Sequence, residues 1–132
     1  MTPPAVSIVV ISYNTREMTL DCLRSIATRT HTSHEVILLD NASTDGSAEA
    51  VASQFPDVRL LAETENHGFA QGNNIAIRHA RGEYVLLLNP DTIVLDGAID
   101  RLIAFAWENP EAGIWGGRTL YGDRSLNPTS SY

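Results

Sequence analysis

Lysine is absent from this 132-residue sequence; all nine basic residues are arginine. That excludes a Walker-type phosphate loop, whose lysine has nothing to stand in for it, and a receiver-type phosphorylation site that relies on a lysine. Cysteine occurs once, as Cys22, so no internal disulfide forms, and its place inside a helical pattern makes it a small buried hydrophobe. Basic clusters are missing too. With a net charge of −7, a nucleic-acid groove or a polybasic membrane anchor is disfavoured. The opening MTPPAVSIVVIS has no charged segment, and its apolar run is too short for a signal peptide or a membrane span. The expected location is cytoplasmic, with peripheral association at the inner face of the membrane as a variant. No GxGxxG occurs, and His31, His34 and His79 lack metal-ligand spacing. His67, alone in a polar loop, reads as a solvated side chain.

At 43% hydrophobic, residues 1–132 suffice for one core and one domain. Strand-like and helix-like segments alternate along them. Val6 to Ile11 reads as a buried strand closing on Ser12, Tyr13 and Asn14. Asn14 and Glu17 have the spacing of a capping box, and Met18, Cys22 and Ile26, with Leu23 and Ala27, form a helical stripe ending near Arg29. Glu35 to Leu39 is a second apolar run, ending on Asp40. NASTDGS then turns the chain into a short helix reaching about Phe55, with Ser43 and Asp45 in structural roles. Val58 to Ala62 is a third strand, and a helix from about Phe69 to Ala80 follows the loop ETENHG. Arg78 and Arg81, near its far end, read as surface ion-pair formers.

The stretch GEYVLLLNPDTIV, Gly82 to Val94, is the strongest signal. Five consecutive apolar or aromatic residues, Tyr84 to Leu88, suit a strand buried on both faces of a parallel sheet. They run into Asn89, Pro90 and Asp91. Asp96 caps a further helix to about Glu108, with Leu102, Ile103, Phe105 and Ala106 on its buried side. AGIWGG reads as a fifth strand, Trp107 and Trp115 as core residues, and GDRSLNPTSSY as a hairpin or frayed end. The alternation predicts an α/β fold: a Rossmann-like, doubly wound, mostly parallel sheet with helices on both faces.

In such sheets ligands bind outside the carboxyl ends of the strands. Tyr13, Asp40 and Asp91 would share that edge. Two carboxylates about 4 Å apart repel by roughly 4 kcal/mol at the effective dielectric of a protein surface, so a site that gathers them also gathers a cation or a donor. The competing reading is that Asp and Asn end strands simply because they hydrogen-bond nearby amides.

VSIVVISYN, VILLDNASTDGS, ENHGFAQGNN and GEYVLLLNPDTIV together resemble the nucleotide-sugar-binding half of the family 2 glycosyltransferases, whose fold is GT-A and which include rhamnosyltransferases and other polysaccharide and cell-wall enzymes. The likeness runs from about Val6 to Leu120. It implies that Ser12, Tyr13 and Asn14, with Asp40 and Asn41, bind the nucleotide. It implies that Asn66, Gly68, Asn73 and Asn89 contact donor sugar or phosphate. Asn89, Pro90 and Asp91 correspond to the family's aspartate-x-aspartate motif, so Asp91 becomes the ligand of a divalent Mg²⁺ or Mn²⁺, with Asn89 replacing the first aspartate. The implied partners are a UDP- or dTDP-sugar and a saccharide or lipid-linked acceptor.

In inverting members a later carboxylate deprotonates the acceptor. No such segment precedes Tyr132, so the catalytic base is expected beyond it, the chain being the donor-binding part of a longer, apparently truncated GT-A enzyme. The alternative is a noncatalytic nucleotide-binding or interaction module. Nucleotidyl transfer to a sugar phosphate would want a glycine- and lysine-rich N-terminal loop, which is absent. Without later strands a sheet edge stays exposed, which implies self-association.

Overall fold

The computed structural model describes residues 2–114. Four strands, β1 (Val6–Ser12), β2 (His34–Asp40), β3 (Arg59–Ala62) and β4 (Tyr84–Leu88), alternate with four helices, α1 (Arg16–Arg29), α2 (Ser47–Gln54), α3 (Gly68–Ile77) and α4 (Ala98–Glu108). The strands form one parallel sheet in the order β3-β2-β1-β4. β1, at its centre, is buried along its whole length, because neighbours cover both faces. Ile8, Val10 and Leu38 on one face meet Leu20, Leu23 and Ile26 of α1, Val51 of α2 and Ile99 and Ile103 of α4. On the other face Val9, Ile11, Ile37 and Leu39 pack with Ala76 of α3. This is the doubly wound α/β plan that the alternation predicts.

Burial corrects the reading of β4. Tyr84, Leu86 and Leu88 pack on the larger core, but Val85 and Leu87 on the opposite face are 43% and 50% exposed. The reason is position: β4 is an edge strand among the described residues, and α3 on that face packs over β1 and β2. Val58 precedes the third strand instead of opening it, and the third helix ends at Ile77 instead of Ala80, in each case by a short turn.

The helix caps also differ from expectation. Asn14 and Glu17 form no capping box: Asn14 has a positive φ of 50° and its side chain points to another loop, while Thr15 is the N-cap, with no side-chain cap bond of its own. The start of α1 is capped instead by Asp45, whose Oδ2 accepts from the Arg16 N–H at 3.0 Å. The buried side of α1 is accordingly turned toward Thr19, Leu20, Cys22, Leu23 and Ile26, leaving Met18 and Ala27 exposed. Asp96 does not cap α4. Gly97, left-handed at φ 70°, precedes it, and Asp100 in the first turn accepts from the His31 and Thr32 N–H groups. Ile99, Ile103 and Ala106 form the buried side of α4, Leu102 is half-buried, and Phe105 and Trp107 are half-exposed because they lie on its two flanks.

Of AGIWGG, residues 112–114 carry no strand pairing; Trp115, the rest of that segment and the tail GDRSLNPTSSY lie outside the described residues. No described helix is long and apolar enough to cross a membrane.

Candidate functional site

The strand order reverses between β1 and β4: the chain builds outward through β2 and β3, then returns to the other side of β1. A doubly wound sheet opens its ligand crevice at such a switch point, outside the carboxyl ends. β1 and β2 end level, Ser12 beside Asp40, while β4 ends at Leu88 beside Val10. The loops after β1, β2 and β4 therefore rise from one edge, carrying Tyr13, Asp40 and Asp91.

The first two loops are laced together. Asn14 N–H donates to Ser43 Oγ at 2.9 Å, and Asn14 Oδ1 accepts from Thr44 N–H at 2.8 Å. Asn41 N–H donates to the Ser12 carbonyl. Asp45 joins the starts of two helices, accepting from Arg16 N–H on one oxygen and from Ser47 N–H and hydroxyl on the other. The Ser47 hydroxyl, with these amides, holds the Asp45 carboxyl below the usual aspartate range. The positive φ values of Asn14 and Ala42, 50° and 62°, are held by this lacing. Asn14, Ser43 and Asp45 thus build the platform. Tyr13 stands on it with half its surface exposed, an aromatic face open to stacking.

Asp40 and Asn41 lie lower, each 2% exposed. Asp40 Oδ2 accepts from Ser43 N–H at 3.0 Å and Oδ1 meets the buried Ser12 hydroxyl at 3.4 Å. Asn41 reaches the entrance of α3: its Oδ1 accepts from His67 N–H at 3.1 Å and its Nδ2 donates to the Gly68 carbonyl at 3.1 Å. One side chain therefore ties the end of β2 to the loop before α3. Asn66 closes that loop by accepting from Gly68 N–H at 2.8 Å, with Gly68 at φ 77°. Asn73, one turn into α3, is buried; beside it a Cβ on Gly72 would stand 3.3 Å from Ile11 and 3.4 Å from Asn41 Nδ2, which is why glycine lets α3 settle on β1. His67 is not a solvated loop histidine. Its side chain is only 15% exposed, with Nε2 3.0 Å from Glu63 and Nδ1 3.8 Å from Glu65.

After β4, Thr92 folds back on Asn89: its N–H and hydroxyl both donate to the Asn89 carbonyl, at 3.2 and 2.7 Å. Asn89 and Asp91 side chains are exposed on this turn, and among the described residues no hydrogen bond or ion pair engages the Asp91 carboxylate. Cys22 lies beneath, its Sγ 3.8 Å from the Asn89 carbonyl and 4.0 Å from the Thr92 hydroxyl. Burial, with the Asp91 charge adding to it against the Thr92 contact, pushes the thiol up to about 11.

The sequence-derived set thus divides. Tyr13, Asn89 and Asp91 are exposed at the switch-point edge; Ser12, Asn14, Asp40 and Asn41 form the bonded floor and walls; Asn66, Gly68 and Asn73 belong to the α3 entrance that Asn41 fastens. Sequence reasoning missed Cys22 as the support of the Asn89–Thr92 turn, and Glu63 as the partner of His67. Glu63 and His67 are four residues apart, a spacing that could have suggested the second. Nothing in the sequence links Cys22 to a turn some seventy residues away. No cluster of three or more metal-ligand side chains occurs among the described residues.

Residues 7–131 match Glycosyl transferase family 2. The N-acetylglucosaminyl-diphospho-decaprenol L-rhamnosyltransferase of Mycobacterium tuberculosis is 31% identical over 134 aligned positions, covering 93% of this chain and 44% of that protein. The mannosyltransferase PcManGT from Pyrobaculum calidifontis, solved in complex with GDP-Man and Mn²⁺, superposes with a TM-score of 0.70 and 32% identity over 80% of this chain and 33% of that one. Residues 1–349 of S. aureus TarS, solved with UDP-GlcNAc, give a TM-score of 0.70 at 26% identity over 80% of this chain and 32% of that one. The chain spans from a third to under half of the length of such relatives. Matched over nearly its whole length, and with the GT-A sheet on which these enzymes are built, the chain belongs to the family 2 glycosyltransferases.

Proposed function

We propose that residues 1–132 are a single nucleotide-sugar-binding domain of an inverting glycosyltransferase, passing a sugar from a nucleoside-diphosphate donor, a UDP- or dTDP-sugar, to a saccharide or lipid-linked acceptor in polysaccharide or cell-wall synthesis. The observation that carries the reading is the Asp91 carboxylate, exposed and unengaged among the described residues, on the same sheet edge as the exposed ring of Tyr13. The base stacks on Tyr13 over the floor formed by Ser12, Asn14, Asp40 and Asn41. The diphosphate and sugar extend toward Asn89 and the α3 entrance at Asn66, Gly68 and Asn73. A general base supplied by polypeptide outside this chain activates the acceptor. The domain works in the cytoplasm, peripherally at the inner face of the membrane when its acceptor is lipid-linked, and it self-associates through a sheet edge.

The residues present fit a divalent ion. Mg²⁺ and Mn²⁺ take oxygen ligands in octahedral geometry and accept one or two protein carboxylates, with phosphate and water completing the shell. Asp91, exposed and without a partner among the described residues, is available as that carboxylate, and Asn89 keeps an amide carbonyl beside it. When bound, such an ion stabilises the negative charge of the departing nucleoside diphosphate. GDP-Man with Mn²⁺ and UDP-GlcNAc in the solved relatives support the donor class.

Thermal unfolding with UDP, dTDP and GDP, each with and without Mn²⁺, tests the reading. A ligand at 100 times its Kd adds about 2.7 kcal/mol of stability, and the Mn²⁺-dependent part should vanish in Asp91→Ala. Absence of any shift, or a metal-dependent shift that survives in Asp91→Ala, would defeat the assignment.

A further inference from the structure

We infer that Ser25, inside α1, is a positioning residue for the Asp91 carboxylate: its hydroxyl pins the strap that follows β4 to the helix and so fixes where Asp91 stands at the sheet edge. The role rests on the reading of Asp91 as the ligand of a divalent ion. Asn89, Pro90, Asp91 and Thr92 form a turn closed by the Thr92 N–H on the Asn89 carbonyl at 3.2 Å. Pro90, second in that turn, has its φ fixed by its ring, so the turn has little freedom of its own. What aims it is the way the chain leaves it. Residues 92–95 belong to no helix or strand, and the backbone of such a segment must find its partners elsewhere.

It finds them on α1. Cys22, Ser25 and Arg29 lie three and four positions apart, on one stripe of that helix, and each holds part of the strap. Cys22 Sγ meets the Asn89 carbonyl. Ser25 Oγ accepts from Val94 N–H at 2.9 Å while donating to the Cys22 carbonyl at 2.7 Å. Arg29 Nη1 donates to the Val94 carbonyl at 2.9 Å, and the Arg29 carbonyl accepts from Gly97 N–H at 3.1 Å. Both backbone groups of Val94 are thus held by α1, and its side chain is buried in the larger core. The Ser25 bond to Val94 is buried, whereas those of Cys22 and Arg29 are partly so; without its hydroxyl the Val94 N–H has no water to turn to, and the strap must shift to satisfy it. The first turn of α1 is fastened to the other wall of the site, where Arg16 N–H donates to Asp45. One helix therefore sets the spacing between the platform under Tyr13 and the turn that carries Asp91. A donor that engages both meets a preset distance, which removes an ordering cost from its binding.

Mn²⁺ titration of the UDP-loaded protein, read from the electron paramagnetic resonance of free Mn²⁺, tests the role beside UDP titration without metal by calorimetry. Ser25→Ala should weaken Mn²⁺ binding by about tenfold or more, the range found when the support of a metal ligand is removed, and leave metal-free UDP affinity as in the wild type. A general loss of stability does not produce that split. Arg29→Met, which removes the second hold on Val94, should act in the same direction to a smaller extent, and decides the matter if Ser25→Ala does not fold. Coupling is reciprocal: a pin that favours the ion is itself stabilised by the ion. On the unaltered protein, Mn²⁺ added to the UDP complex should therefore slow hydrogen exchange at Val94 N–H by a similar factor. Unchanged Mn²⁺ affinity in Ser25→Ala, an equal fall in metal-free UDP affinity, or Val94 exchange indifferent to Mn²⁺ overturns the role. Asp91→Ala separates it from the reading beneath. Mn²⁺ binding lost in Asp91→Ala but intact in Ser25→Ala defeats the positioning role alone, whereas Mn²⁺ binding that survives Asp91→Ala, or that the wild type lacks, defeats the donor-site reading and the role with it.

Discussion

Single residues decide how closely the pieces of this sheet approach. A Cβ on Gly82 would lie 2.6 Å from the Ser7 backbone nitrogen and 2.8 Å from the Val6 carbonyl carbon. Backbone cannot swing aside, so Gly82→Ala should destabilise by about 2 kcal/mol or more, as overpacked sites do, while Gly113→Ala, with nothing within 4 Å among the described residues, should be neutral; urea unfolding of the two separates the cases. Asn41 has both ends of its amide committed to the α3 entrance. Asn41→Ala leaves buried groups unpaired and should cost about 1–3 kcal/mol, with faster proteolysis at residues 64–68 as the local readout. Cys22, buried and with its thiol pushed up to about 11 by that burial, carries very little of the reactive thiolate near neutral pH. It should stay unmodified by a thiol reagent in the native protein and react fully once denatured.

Between elements, the ties are carboxylates that accept from backbone. Asp100 joins α4 to the end of α1 through His31 and Thr32. Glu35 joins the start of β2 to β1 and to the entry of β4 through Ser7 and Arg81, and Arg81 forms the ion pair the sequence suggested. Partial burial pushes both carboxyls up, but hydrogen bonds from Thr32 and His31 to Asp100, and from Ser7 and Arg81 to Glu35, outweigh it and hold both below their ordinary values. A carboxylate lowered in the folded state contributes stability that is complete above its unfolded pKa and is lost as pH falls through the folded one. Thermal midpoints should therefore begin to drop as pH falls through about 4, and the drop should be shallower in Asp100→Asn and in Glu35→Gln. Strands were legible at this scale because three of the four, β1, β2 and β4, are apolar runs that stop at Ser, Asp or Asn. Caps were not, because the acceptors for the start of α1 and for the residues after it come from segments some 30 to 70 positions away, where no local spacing rule reaches. Burial of β4 failed for a similar reason: five apolar residues look the same in the middle of a sheet and at the edge that β4 forms among the described residues, and only strand order tells the two apart.

At the level of the whole molecule, alternation of segments sufficed for a parallel α/β sheet, and parallel direction alone brought Tyr13, Asp40 and Asp91 to one edge. The division of labour along that edge was less legible. Asn14 and Asn41 have the residue type of ligand contacts, yet their side chains are spent on Thr44 and on the α3 entrance; among the described residues Tyr13, Asn89 and Asp91 are the side chains left open. Nucleotide titration by calorimetry should accordingly show Tyr13→Ala weakening binding by about 1–3 kcal/mol, the range found for a base on an aromatic face, without changing stability. Asn14→Ala should lower stability along with affinity. The lacing of the two loops has a further consequence for motion. Because Asn14 and Thr44 hold each other across the gap between β1 and β2, neither loop can breathe by itself: their amides should exchange with solvent in concert, at one shared rate, slower than that of ordinary surface turns. The other wall, the step at Gly68, is fastened to the end of β2 by the Asn41 amide and should open independently of the two loops.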